Sequence, residues 1–281
     1  MNGRMCPIGR MERVLVATDG SEASQSAVAV ALELAKLCSS KLELIAVAVV
    51  LTNLEYESAL PWVIEDAEKE MRQKLEAVKD MVKETGVECE IVLHRGEDPY
   101  PDIVDEAVKN KVDMVVMGTH GRTGIKRFVM GSVAGNVIGH APCKVLVVPR
   151  GAEIGFETVL VATDGSIHSD EAVSEAVAIA KTCNSSLIIV SVASSDEELA
   201  TMEEGMKRAV EVAAKEGVRK EGMLLRGRAG EVILETAEQK EAGLIVMGSH
   251  GRTGLESLLM GSVTERVLGH GNIPVLVAKV R

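Results

Sequence analysis

The sequence is poor in aromatic side chains. Trp62, Tyr56, Tyr100, Phe128 and Phe156 are the whole complement in 281 residues. Single-stranded nucleic acid is held by aromatic stacking platforms in a basic groove. A net charge of −11 supplies no such groove, which argues against a nucleic-acid partner. No run approaches the roughly 18 consecutive apolar residues of a membrane-spanning helix. Met1 to Arg10 also lacks the apolar stretch of a signal peptide, so the expectation is a cytoplasmic protein with no membrane partner. Cys6, Cys38, Cys89, Cys143 and Cys183 are scattered singly, without metal-ligand spacing. Cys38 and Cys183 occupy equivalent positions on apolar helix faces and read as small buried hydrophobes in a reducing compartment. No Gly-Lys dipeptide occurs, which excludes a Walker A loop. Any anion must then be held by backbone amides rather than by lysines.

What is present is a repeat. Val14-Leu15-Val16-Ala17-Thr18-Asp19-Gly20-Ser21 returns as Val159-Leu160-Val161-Ala162-Thr163-Asp164-Gly165-Ser166, 145 residues later. Gly118-Thr119-His120-Gly121-Arg122-Thr123-Gly124, followed by Gly131-Ser132-Val133, returns as Gly248-Ser249-His250-Gly251-Arg252-Thr253-Gly254 and Gly261-Ser262-Val263, only 130 residues later. The second copy is thus shorter, and the extra residues of the first fall at Leu51–Trp62. That insert reads as a lid, a partner surface or an unstructured loop. Self-similarity of this kind marks duplicated domains, here 11–150 and 156–281, with Pro149 to Phe156 as the linker.

Each copy alternates short apolar runs with amphipathic segments. The spacing predicts strands at 14–18, 42–50, 89–94, 113–117 and 144–148, with helices after 21 and over 65–85, 102–109 and 132–139. In the second copy it predicts strands at 158–162, 186–192, 222–226, 243–247 and 274–278. Helices there fall over 168–182, 197–216, 230–239 and 262–269. Such alternation gives an α/β fold with a parallel sheet and right-handed crossovers. Its ligands sit at the carboxyl ends of the strands.

The glycine loops fall where a strand ends and a helix begins. Glycines at 118, 121 and 131 permit close backbone approach and positive φ. The amides of Gly131, Ser132 and Val133 read as the free donors of a helix N-terminus, an anion cradle that needs no lysine. Ser132 and Ser262 either add a hydroxyl donor or cap the helix. Arg122 and Arg252 could screen a triphosphate. His120 and His250 lie either over the phosphates or against the loop backbone, holding its shape. Asp19 and Asp164 end the first strands, where a carboxylate suits an adenine amine or a ribose hydroxyl; the alternative is a plain Asp-Gly-Ser turn. His140 and His270 end the last helices, where they serve free carbonyls.

Taken together, Asp19-Gly20-Ser21, the Gly118/Gly121/Gly131-Ser132 signature and the closing strand Pro142–Val148, all repeated through Pro274–Ala278, resemble the universal stress protein family. The likeness is to its ATP-binding branch in tandem two-domain form, and it covers the chain beyond the first ten residues. It implies two open-sheet domains of the Rossmann-like, adenine nucleotide alpha hydrolase-like type. Each would have a five-stranded parallel sheet in order 3-2-1-4-5 with helices on both faces, the domains pairing through their fifth strands. It further implies ATP, or ADP or AMP, with Mg2+ or Mn2+ accompanying the nucleotide. The first site would comprise Ala17, Thr18, Asp19, Val47, Met117, Gly118, His120, Gly121, Arg122, Gly131, Ser132 and Val133. The second would comprise Ala162, Thr163, Asp164, Val192, Met247, Gly248, His250, Gly251, Arg252, Gly261, Ser262 and Val263. The family often has proline before Thr-Asp where this chain has Ala17 and Ala162, a departure that touches the adenine and ribose contacts and not the phosphate cradle.

The expected function is a nucleotide-dependent regulatory module of the stress response, with a protein partner that the sequence does not name and further dimerisation of the chain. Alternatives are a slow ATPase or nucleotidyl-transfer enzyme, and a partner-binding protein without nucleotide.

Overall fold

The computed structural model of the chain describes residues 6–49, 60–119, 130–252 and 260–280. The first half runs β1 (Arg13–Ala17), α1 (Glu22–Cys38), β2 (Lys41–Val49), α2 (Leu60–Glu84), β3 (Cys89–Gly96), α3 (Pro99–Lys109), β4 (Met114–Gly118), α4 (Ser132–His140) and β5 (Lys144–Val148). The second runs β6 (Thr158–Ala162), α5 (Ile167–Cys183), β7 (Ser186–Ala193), α6 (Leu199–Lys215), β8 (Arg219–Arg226), α7 (Ala229–Gln239), β9 (Leu244–Gly248), α8 (Ser262–His270) and β10 (Val275–Ala278).

The ten strands of the described residues form one sheet, in order β3-β2-β1-β4-β5-β10-β9-β6-β7-β8. Each half is parallel in the order 3-2-1-4-5. The halves join where β5 and β10 pair antiparallel, with Leu276 opposite Leu146. The central strands read as unbroken apolar runs because helices cover both faces. Alternation along β1 sends Val14 and Val16 to one core layer, and Leu15 and Ala17 to the other. Both layers run across the seam without a break, since each contains strand residues of both halves.

The helices obey local capping chemistry. Ser21 and Ser166 cap α1 and α5, each accepting from the amide three residues on. Their C-terminal caps, Ser39 and Asn184, are left-handed. Several boundaries differ from the sequence reading; α3, for one, begins at Pro99 rather than at 102. Helix α2 begins at Leu60 rather than Glu65, because Pro61 falls in its first turn, where the missing N–H is harmless. The last residues of the Leu51–Trp62 insert are therefore helical, and the rest of it lies outside the described residues. Strand β8 begins at Arg219, its polar start being tolerated on the outer edge of the sheet.

The cysteine reading is corrected at two positions. Cys6 and Cys38 form a disulfide across a sequence separation of 32, whereas Cys89, Cys143 and Cys183 are free. The bridge pins the segment before β1 to the end of α1. Ile8 and Met11 of that segment are fully buried. Its backbone is held as well: Ser40 Oγ donates to Met11 O at 2.8 Å, and Lys144 Nζ donates to Ile8 O at 2.9 Å while pairing with Glu175 on α5. A loop of this length stabilises by about 2–4 kcal/mol, chiefly by restricting the unfolded chain. Cys6→Ser is therefore expected to lower stability by that amount in denaturant titration, and added reductant should lower the native protein to the same midpoint.

Candidate functional site

Two clefts open at the carboxyl ends of the strands, one in each half, of about 460 and 490 Å³. Each is built from the same parts. The turn after β1, or after β6, supplies Thr18-Asp19 or Thr163-Asp164. The end of β2 or β7 supplies Val47 or Val192, and the end of β4 or β9 supplies Met117-Gly118 or Met247-Gly248. The start of α4 or α8 supplies Gly131-Ser132-Val133 or Gly261-Ser262-Val263. Ala17 and Ala162 line them too, as do His250, Gly251 and Arg252 in the second. His120, Gly121 and Arg122 lie outside the described residues.

The turn is held from within. Gly20 and Gly165 take φ of 68° and 75°, a left-handed conformation that favours glycine. Their amides donate to Thr18 Oγ1 and Thr163 Oγ1, which in turn hydrogen-bond Ser24 and Ser169. Asp19 Oδ1 accepts from the amide and hydroxyl of Ser21, and Asp164 Oδ1 from those of Ser166. Asp164 Oδ2 accepts from the Arg252 amide at 2.7 Å. In the second site the carboxylate thus clasps the glycine loop to the strand end, which is more than the ribose or adenine acceptor expected of it. Gly251 is glycine for that reason: a Cβ there would stand 2.6 Å from Asp164 Oδ2.

The helix starts also depart from the sequence reading. The amide of Gly131 is not a free donor; it bonds Thr119 O, as Gly261 bonds Ser249 O. Gly131 and Gly261 are the cap residues, with φ of −61° and −71°, so positive φ is not what they supply. Ser132 and Ser262 are the first helical residues and cap nothing. The donors with no partner inside the helix are therefore the amides of 132–134 and 262–264. A Cβ on Gly261 would meet its nearest protein atom, His250 Cα, at 3.4 Å, an ordinary contact. Neither backbone angle nor packing demands glycine here. What its bare Cα keeps open is the approach to those amides, which fits a phosphate group lying on the helix start.

His250 sits beside the cradle, with its ring 5.2 Å from that of His168 and its Nδ1 3.1 Å from Ser249 Oγ. Burial first, then His250, lowers the His168 imidazolium below its ordinary value. His140 and His270 place Nδ1 at 2.8 and 3.1 Å from the carbonyls of Asn136 and Arg266, as helix-end histidines should. Lys279, at the end of β10, donates to the carbonyls of Ile138 and Gly139 that close α4.

Sequence reasoning missed the walls opposite the cradle. Ile103 and Ile233, from α3 and α7, and Met71 and Met202, from α2 and α6, line the two clefts in corresponding places. The 130-residue offset alone would have paired the isoleucines. The walls are not alike throughout. The first cleft adds Ala46, Ala48, Ala67 and Glu97; the second adds Ser194, Glu197, Glu198 and Thr201. Among the described residues no group of three metal-binding side chains occurs, and no helix is long and apolar enough to cross a membrane.

The sequence profile of the universal stress protein family matches residues 11–149 and 155–279. A universal stress protein of Methanocaldococcus jannaschii is 36% identical over 141 residues, covering 50% of this chain and 82% of that protein. One from Synechocystis is 28% identical over 208 residues, 72% of this chain and 69% of its own. The crystal structure of a universal stress protein from Archaeoglobus fulgidus superposes with a TM-score of 0.79 at 24% identity, covering 96% of this chain and 97% of that one.

Proposed function

The chain belongs to the universal stress protein family, and from that premise we propose that it is a regulatory module binding one adenine nucleotide in each half, two per chain. The units are 11–150 and 156–281. The observation that carries this reading is the pair of open helix starts, each begun by a glycine at negative φ, which in the second half the protein's own atoms do not require. Such a start binds phosphate through amides and the helix dipole. That suits a chain whose net charge of −11 would otherwise repel ATP.

In this reading the phosphates lie on the amides of 132–134 and 262–264, with Arg252, and Arg122 in the first half, screening their charge. His250 flanks the loop of the second half. Adenine enters the apolar slot beside Ala17 and Val47, or Ala162 and Val192, between β2 and α3 or β7 and α7. A divalent ion, Mg2+ or Mn2+, would accompany the nucleotide and offset its phosphate charge. Asp164 is spent on holding the loop, which supports binding without fast turnover rather than a general base for hydrolysis. The protein acts in the cytoplasm, its nucleotide state read by a protein partner.

Calorimetric titration of the whole protein with ATP and magnesium tests this. Saturation at two nucleotides per chain is expected, with ADP and AMP competing. Folded protein that takes up no nucleotide would overturn the reading in favour of a purely partner-binding role.

A further inference from the structure

Beneath the first cleft lies a cluster of charged side chains that the second half does not repeat. Glu43 on β2 is 8% exposed and Glu106 on α3 only 3%. Strand alternation places Glu43 on the same face as Ile45 and Val47, and Glu106 follows Ile103 by one helical turn; Ile45, Val47 and Ile103 all line the cleft. One amide joins the two carboxyl groups. Asn110, the C-terminal cap of α3, donates through Nδ2 to Glu43 Oε1 and Oε2 at 2.7 and 2.8 Å, and to Glu106 Oε1 at 2.8 Å. Lys109 Nζ donates to Glu106 Oε1 at 2.9 Å. His94 on β3 stands between Glu106 Oε2, 3.2 Å from Nε2, and Asp102 Oδ1, 3.5 Å from Nδ1. Glu90 is the cross-strand neighbour of Glu43 on β3, and on the β1 side the neighbour is the apolar Leu15.

In the second half the strand register puts Ile188 where Glu43 stands and Leu225 where His94 stands. Helix α7 carries Val232 and Thr236 in place of Asp102 and Glu106, and Thr236 simply bonds its own helix at Val232 O. The fold therefore does not need the charged cluster.

We propose that Glu43 and Glu106 are positioning residues that make the first nucleotide site proton-dependent. A proton shared by the pair docks α3 on β2 and holds Ile103 in the cleft wall. Its loss loosens α3 and weakens nucleotide binding at the first site alone. The proposal rests on the nucleotide reading above.

Two buried carboxylates side by side repel and are poorly solvated, whereas an acid and a carboxylate hydrogen-bond each other. Burial pushes the Glu43 carboxyl above its ordinary value of 4.5; Asn110 opposes and the charge of Glu106 adds. Burial acts on Glu106 too, but the hydrogen bonds from Lys109 and His94 outweigh it, and Glu106 titrates below its ordinary value. The shared proton therefore resides on Glu43. The Glu43 contribution is complete below its unfolded value and is lost as pH rises through its raised folded value. The Glu106 contribution is present above its unfolded value and lost as pH falls through its depressed one. Docking is tightest between the two and weakens as pH rises through the raised Glu43 value.

The experiment titrates ATP into the full chain carrying Gly261→Val, which leaves the first site, and Gly131→Val, which leaves the second, over a pH series that starts near the ordinary glutamate value of 4.5 and rises from there. Taking the ratio of the two dissociation constants cancels protonation of the nucleotide. That ratio should rise at least about fivefold with pH, a typical coupling between linked sites. It should stay flat once Glu43→Gln, or Glu43→Ile as in the second half, is added to each chain. Without nucleotide, hydrogen-exchange protection of Ile103–Ala107 should fall with pH relative to Ile233–Ala237, and do so only when Glu43 is present. An equal pH dependence with and without Glu43, or constant α3 protection, overturns the proposal. Protection that shifts as expected while no nucleotide binds at any pH overturns the nucleotide reading instead.

Discussion

Gly261→Val is expected to empty the second cleft, so that ATP saturates the protein at one nucleotide per chain and the lost site binds at least about a hundredfold more weakly. The cap residue has φ of −71°, and a Cβ there meets His250 Cα, Gly251 N and Ser249 O at 3.4, 3.5 and 3.6 Å. The first added carbon thus fits without strain. The branch beyond it has to occupy the space in front of the amides of Ser262 and Val263. Hydrogen bonds to a charged group contribute about 1.5–3 kcal/mol each, so blocking two of them accounts for a hundredfold loss. The thermal midpoint should stay within a few degrees of the parent protein, which separates this result from unfolding. Gly131→Val should do the same to the first cleft, and the double variant should bind nothing. Gly251→Val would be a poor substitute, since it displaces Asp164 Oδ2 and breaks the loop clasp itself. Retention of two full-affinity sites in the double variant would show that the helix starts hold no phosphate.

Leu276→Ala carries the largest expected cost in stability, about 3 kcal/mol or more by the usual range for truncating a fully buried leucine. Leu276 faces Leu146 across the antiparallel seam, and both side chains are fully buried in one core layer. The cavity forms where the two halves join, among strands covered on both faces, and such a site relaxes little. Leu146→Ala should cost a similar amount. The double variant should cost less than the sum by about 0.5 kcal/mol or more, because the two share one cavity. Urea titration followed by circular dichroism reads all three. Additive losses would mean that the seam is not packed as one unit.

Much of the architecture was legible in the sequence. Met114–Met117 and Leu244–Met247 are apolar runs ended by glycine, and a buried parallel strand leaves that trace. The strand order and fifth-strand pairing came from the family resemblance, since periodicity says nothing about which strands are neighbours. The disulfide was hidden. Cys6 precedes the repeat, and Cys38 has a counterpart in Cys183 that is free, so both read as packing residues. The clasp of Asp164 on Arg252 spans 88 positions and leaves no local mark. Gly131 and Gly261 were singled out by spacing, but that a Cβ at Gly261 would make only ordinary contacts is something only coordinates supply. Glu43 sits inside the apolar run of β2 and looks like an error of pattern until Asn110 and Glu106 are seen around it.

The antiparallel join of β5 with β10 reverses the strand direction between the halves, so the carboxyl ends of one set of strands point away from those of the other. The two ports, one at the mouth of each cleft, consequently face opposite rims of a single slab. No flat surface can touch both at once. Any conversation between the ports crosses the Leu146–Leu276 join. Whatever enters the two clefts therefore approaches from opposite sides of the sheet.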